Sequence, residues 1–220
     1  MKGIMKTLLI DVDGTLIDSF PGIRASFLSA LDDLGINHPD EEFVSSIAGP
    51  PMEQTMMRLG LSADQAAAGL RLYLGHYGED GWDNSAPFDG MTEFLAWAKQ
   101  AGFQLVTATS KGEEFARKTL ERYAMLDYFD FFAAAEEDGP RRTKEKVIRY
   151  ALDNLPHPAT TDEMLLIGDR IHDIDGAREF GIPAVLVEWG YGTPSEHRQA
   201  HHVVATPDEL KEYVHDWSEA

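Results

Sequence analysis

Residues 7–15 read Thr7-Leu8-Leu9-Ile10-Asp11-Val12-Asp13-Gly14-Thr15: an apolar run that closes on two carboxylates, a glycine and a hydroxyl. The apolar part, Thr7–Val12, shows no alternation with polar residues, so it predicts a strand covered on both faces. Asp11 and Asp13, two residues apart, point the same way where such a strand ends. Gly14 lets a ligand approach the backbone. In open parallel sheets, ligand sites form at this carboxyl edge. On its own, D-x-D-G is also a common acidic turn, so the neighbouring strand ends must decide.

Further strand-like runs are Phe103–Ala108, Phe131–Ala135, Met164–Ile167 and Ala184–Val187. Helical spacing lies between them: Met91, Phe94, Leu95 and Ala98; then Phe115, Ala116, Thr119, Leu120 and Tyr123; then Val147, Ile148, Ala151 and Leu152. Gly102 and Gly181 stand where helix C-caps are expected. The alternation predicts an α/β fold, a Rossmann-like three-layer core with helices on both faces of a parallel sheet. Thr109 follows Asp11 by 98 positions of sequence, too many for a structureless loop in a compact domain. That interval is helically patterned. Phe20, Ile23, Phe27, Leu31 and Leu34 step by three or four between Pro21 and Gly35, and Ser62 with Gln65 forms a capping box before Ala66, Leu70, Tyr73, Leu74 and Tyr77. Gly78–Pro87 reads as the return linker. The expected organisation is a core of 1–15 plus 87–220 carrying a helical cap domain at 16–86.

The 220 residues are 43% hydrophobic, enough for a packed core. With 38 Asp+Glu against 19 Lys+Arg the net charge is −19, which repels nucleic acid and anionic membranes. A phosphate site here must supply its own positive charge. The absence of Cys removes disulfides, thiolate metal sites and cysteine nucleophiles, and suits a cytoplasmic location. No signal-peptide pattern or membrane-spanning apolar run is present.

The other strand ends carry the chemistry. The second run closes on Thr109-Ser110-Lys111, and the fourth on Gly168-Asp169-Arg170-Ile171-His172-Asp173, with two carboxylates opening a helix. Lys144 opens another helix after Arg141-Arg142-Thr143. Singly, these are ordinary caps and helix-end charges. Jointly they offer carboxylates, hydroxyls and an ammonium at one sheet edge.

In order and spacing, D-V-D-G-T at 11–15, T-S-K at 109–111, Lys144 and G-D-x-x-x-D at 168–173 resemble the haloacid dehalogenase superfamily of phosphohydrolases. The long first gap is similar to that of the phosphoglycolate phosphatase subfamily with its helical cap. Gly168-Asp169-Arg170-Ile171-His172-Asp173, Gly190-Tyr191-Gly192 and Gly49-Pro50-Pro51 look like the 5′-nucleotidase-like branch. The resemblance implies Asp11 as nucleophile and Asp13 as general acid, then base. It implies Mg²⁺ held by Asp11, the Asp13 carbonyl, Asp169 and Asp173. Thr109 and Lys144 would hold the phosphoryl group, with backbone amides near Gly14 and Ser110 assisting. The substrate would be a small phosphorylated metabolite of the phosphoglycolate or nucleoside monophosphate type, and the protein a monomer or homodimer.

A cap without Lys argues against Schiff-base phosphonate chemistry, and Asp13 argues against dehalogenation. A phosphomutase shares every motif and stays open. A non-catalytic phospho-receiver module is disfavoured by length and by the helical insert. Within the cap, Gly49-Pro50-Pro51-Met52 is the candidate substrate-facing turn, or equally a rigid interhelix turn. Arg58 reads as a surface cation, and Phe20, Phe27, Tyr73 and Tyr77 as cap core. His201 and His202 read as surface, while His172 is a candidate for positioning its loop.

Overall fold

The computed structural model describes residues 5–137 and 139–220; the first four residues of the expected core lie outside them. Four strands predicted as near-continuous apolar runs lie side by side in a parallel sheet: β1 (Thr7–Ile10), β4 (Gln104–Thr107), β7 (Met164–Gly168) and β8 (Ala184–Val187). A fifth, β9 (His202–Val204), completes the order β4-β1-β7-β8-β9. Pairing is in register, with Ile10 opposite Thr107 on one side and Ile167 on the other. Because β1 is flanked by two strands that follow it in opposite directions, its carboxyl end is a topological switch point, where the crossovers leave a crevice.

Alternate residues of β1 explain the layers. Leu8 and Ile10 join Leu105, Leu165 and Val185 under α5 (Met91–Gln100) and α10 (Pro207–Glu219). Leu9 joins Val106, Leu166 and Leu186 under α7 (Lys144–Asp153) and α8 (Ile171–Arg178). Both faces are covered, as a continuous apolar strand requires.

The predicted strand at Phe131–Ala135 is shorter than expected. Phe131 makes an isolated bridge to Val106, and only β6 (Ala134–Ala135) is regular. The reason is local: the Ala133 amide donates to the Thr107 hydroxyl at 2.7 Å instead of to a backbone carbonyl, while the same hydroxyl donates to the Ala133 carbonyl at 2.9 Å. Past Ala108 the chain leaves the main sheet as β5 (Thr109–Gly112), which pairs with β6.

Helices α1 (Phe20–Asp33), α2 (Glu41–Ser45), α3 (Met52–Arg58) and α4 (Ala63–His76) pack around their own apolar cluster, centred on Phe27, Leu31, Met56 and Tyr73. The Ser62–Gln65 capping box opens α4 as expected. The return segment holds one π-helical turn, Tyr77–Gly81, before β3 (Ala86–Pro87). β3 pairs antiparallel with β2 (Ile17–Asp18), so the way in and the way out of the helical segment form one two-stranded stem. A Cβ on Gly22 would lie 1.8 Å from the Gly81 carbonyl oxygen, which explains the glycine where α1 meets the returning chain. Among the described residues, no helix is long and apolar enough to cross a membrane.

Candidate active site at the carboxyl edge of the sheet

The residues singled out in the sequence converge. Asp11 leaves β1, Asp169 follows β7, and Asp173 sits on the first turn of α8; one oxygen from each lies within 4.8 Å of the others. All three are buried, Asp169 and Asp173 to 1% exposure. Lys144, opening α7, is also buried, with its ammonium 3.0 Å from Asp11 Oδ1 and 2.7 Å from Asp173 Oδ1. It donates a 2.7 Å hydrogen bond to the Ala108 carbonyl.

Crowding three buried carboxylates, two of them against one ammonium, has an electrostatic consequence. Burial lifts the Asp11 carboxyl to about 6; Lys144 opposes the shift and Asp173 adds to it. Burial and the neighbouring Asp173 and Asp11 charges push Asp169 well above the usual carboxylate range. The Lys144 ammonium, despite burial, is driven up by Asp11 and Asp173 and stays charged.

The carboxylates differ in what they leave free. Asp173 Oδ2 accepts the amides of Asp169 at 3.1 Å and Arg170 at 3.0 Å, pinning the start of α8. Asp169 Oδ2 accepts the Tyr191 amide at 2.7 Å, but Asp169 Oδ1 is buried with no hydrogen-bond partner. A buried, orphaned carboxylate oxygen beside two other carboxylates fits a hard divalent cation.

Thr109 is buried at the end of the second run, its hydroxyl accepting the Lys111 amide at 3.2 Å, and Thr109 and Ser110 both line the cleft. The Gly14 amide donates to the Ile17 carbonyl at 2.8 Å, so it is spent in the turn after β1 instead of pointing at a phosphate. What Gly14 supplies is room. Its φ is +81°, and a Cβ would lie 2.1 Å from Asp169 Oδ2.

Several residues outside the expected set complete the site. Lys111 donates to both Asp13 oxygens, at 3.0 and 3.1 Å, and also to the Tyr77 hydroxyl. Tyr77 therefore does more than fill the helical cluster, while Phe27 and Tyr73 are buried there and Phe20 packs at its edge. The Ser19 hydroxyl donates to Asp13 Oδ1. The Tyr191 hydroxyl accepts the Ser19 amide at 2.8 Å and the Phe20 amide at 3.0 Å, and donates to Asp18 at 2.9 Å. Tyr191 thus ties Asp169 to the entrance of the helical segment. Arg170 donates to Glu196 at 3.0 Å and to the Ala48 carbonyl, joining the start of α8 to the turn before Gly49. Glu196 also accepts the Ile171 amide at 3.1 Å and the Thr193 amide at 2.7 Å.

Asp11, Asp13, Tyr77, Thr109, Lys111, Lys144, Arg170 and Asp173 line one cleft between sheet edge and helices, and Gly49, Pro50, Pro51 and Met52 line it too, as does His172. Arg58, His201 and His202 are on the surface. The sequence signals for the unexpected residues are slight. Lys111 ends a motif already in view, Tyr191 stands between two glycines and Glu196 closes a Thr193-Pro194-Ser195-Glu196 capping box, but nothing local marks Tyr77.

A doubly wound parallel sheet whose switch-point strand ends in Asp11 and Asp13, beside further carboxylates, hydroxyls and a buried lysine, is the frame of an α/β hydrolase site at the sheet edge. The comparisons identify the family. Residues 8–187 match the model of the haloacid dehalogenase-like hydrolases, and the chain belongs to that family. It is 34% identical over 199 residues to a 5′-nucleotidase of Pseudomonas aeruginosa, covering 89% of each protein. It is 38% identical over 210 residues to a protein of Mycobacterium tuberculosis named tyrosine-protein kinase PtkA, covering 93% of this chain and 71% of the relative. Among solved structures, that of a predicted phosphatase from Clostridium acetobutylicum superposes with a TM-score of 0.91 at 31% identity, covering 97% of this chain and all of the other. The protein is a phosphatase of this family.

Proposed function

We propose that the protein hydrolyses a small phosphomonoester in a Mg²⁺-dependent reaction through an aspartyl-phosphate on Asp11. The observation that carries this is the buried cluster of Asp11, Asp169 and Asp173, with its orphaned Asp169 oxygen and with Lys144 against Asp11 and Asp173. The cation would be held by Asp11, Asp169 and the Asp13 carbonyl, with Asp173 as a further direct or water-mediated ligand. When bound, it neutralises carboxylate charge and polarises the phosphoryl oxygens.

The chain's own groups divide the work. An Asp11 carboxylate oxygen attacks phosphorus as the bond to the leaving oxygen breaks, and Asp13 delivers a proton to that oxygen. A water then attacks phosphorus, gives its proton to Asp13 and releases phosphate, restoring Asp11. Lys144 and the Thr109 hydroxyl hold the transferring phosphoryl oxygens, with the backbone amide at Ser110 assisting. Residues 16–86 act as a cap over the core of 1–15 plus 87–220, and closure excludes water from the cleft. A protein without Cys is compatible with a cytoplasmic site of action.

Phosphate release from p-nitrophenyl phosphate with Mg²⁺, with and without EDTA, tests the reading, together with acid quench and mass spectrometry of the peptide bearing Asp11. Turnover that survives EDTA, or no phosphorylated Asp11 peptide, counts against it. Phosphoryl transfer to a tyrosine or a sugar hydroxyl without phosphate release would replace it with a kinase or mutase.

A further inference from the structure

We propose that Tyr191 is a positioning residue that joins the cation site at Asp169 to the point where the helical segment leaves the core, so that filling the one orders the other. This rests on the Mg²⁺-dependent reading of the same site.

The loop after β8 lies directly against Asp169. A Cβ on Gly190 would run into the Gly14 carbonyl and the Asp169 side chain, and a Cβ on Gly192 into the Asp169 carbonyl. A side chain at either position would force the loop away, which explains the two glycines. Tyr191, between them, is held at both ends. Its amide donates to Asp169 Oδ2 at 2.7 Å. Its hydroxyl accepts the Ser19 and Phe20 amides at 2.8 and 3.0 Å and donates to Asp18 at 2.9 Å.

Those two amides open α1. The first N–H groups of a helix have no partner within it, and Ser19, at the N-cap, supplies no side-chain cap of its own. Its hydroxyl donates instead to Asp13 Oδ1. The Tyr191 phenol does the capping from 172 positions away. Asp18 offers the Phe20 amide only a longer bond, at 3.2 Å. One side chain therefore fixes where α1 begins, where Ser19 meets the proton carrier and where Asp169 stands.

Asp169 Oδ1 is buried, without a hydrogen-bond partner and close to two other carboxylates. A divalent cation offsets that repulsion and holds Asp169 in place. The loop hung on its other oxygen is then fixed as well, and through the phenol so is the start of α1. By linkage the effect is mutual.

Hydrogen exchange of the Ser19 and Phe20 amides, read by NMR with EDTA and with saturating Mg²⁺, tests this in wild type and in Tyr191→Phe. In wild type Mg²⁺ should slow both amides about tenfold or more. Tyr191→Phe keeps the loop amide, so its Tm should still rise with Mg²⁺. Its Ser19 amide should exchange about tenfold faster than in wild type and no longer answer the cation. With phenyl phosphate its kcat should fall about tenfold while KM stays within about twofold, because Ser19 is no longer held against Asp13. If Mg²⁺ raises the wild-type Tm and leaves the two amides unchanged, the inference alone is overturned. An undiminished response in folded Tyr191→Phe, or a wild-type kcat there, also overturns it. No Tm rise with Mg²⁺ in wild type overturns the cation reading and this inference with it. Should the variant not fold, the wild-type response of the two amides still decides.

Discussion

Asp11 and Asp13 stand two residues apart yet meet different ammonium groups: Asp11 faces buried Lys144, and Asp13 is gripped by Lys111 through both oxygens. That division suits a nucleophile and a proton carrier, and it separates the outcomes of two isosteric changes. Asp11→Asn should abolish turnover to below about 10⁻⁴ of wild type and leave no phosphorylated peptide. Asp13→Asn should retain nucleophilic attack while slowing turnover roughly 10²–10⁴-fold. Quench-flow with an activated ester should then show the aspartyl-phosphate accumulating in Asp13→Asn. If both variants lose the intermediate alike, the assigned roles are wrong. Gly14 belongs to this scale as well. Gly14→Ala places a methyl against Asp169 at a left-handed φ, which should cost about 1–3 kcal/mol by urea denaturation. It should also weaken cation binding, because Asp169 must move.

At the scale of elements, the start of α8 is the most heavily braced part of the site. Asp173 accepts its first amides, and Glu196, from the short helix α9 (Pro194–His197), accepts another and pairs with Arg170. Burial alone would raise the Glu196 carboxyl, but the Thr193 and Ile171 amides and Arg170 outweigh it and hold it at about 2. A carboxyl depressed in the folded state adds stability above its unfolded value, and that increment fades as pH falls toward 2. Glu196→Gln should therefore lower Tm at neutral pH and flatten the acid limb of the Tm–pH curve. A variant whose Tm falls in parallel with wild type from pH 5 to 2.5 would count against this. Elements also mark where sequence reading reached. Strands β1, β4, β7 and β8 were legible because each is a continuous apolar run buried on both faces. β9 was not, since three residues with exposed His202 give no period to read. α10 escaped because it buries only Leu210 and Val214. Thr107, whose hydroxyl takes the Ala133 amide out of the ladder, shortened the strand expected at 131–135.

Across the whole molecule, the balance of charge predicts how the protein answers metal. A net charge of −19 and a buried carboxylate cluster store repulsion that a divalent cation relieves. Mg²⁺ at 100 times its Kd should stabilise the fold by about 2.7 kcal/mol, read as a rise in Tm that EDTA reverses. Asp11 takes up its proton at about 6, so protons compete with the cation and the shift should shrink from pH 7.5 to pH 5. A shift that stayed constant over that range would place the cation elsewhere.

What the sequence by itself determined is the chemistry and its address: apolar runs ending in Asp11, Thr109 and Asp169 can only be buried strands with polar ends, and a parallel sheet gathers such ends at one edge. The long helical interval and the capping box of Ser62 were equally local signals. Only the tertiary structure decided who faces whom. Lys111 to Asp13 spans 98 positions, Tyr191 to Ser19 spans 172 and Arg170 to Ala48 spans 122. No periodicity encodes such pairs, because they arise from the packing of one element on another. The lining of the cleft is of the same kind: Met52, Leu70 and Leu74 from the helical segment and Phe115 from beyond it carry no mark of a common cleft until the chain packs against the sheet.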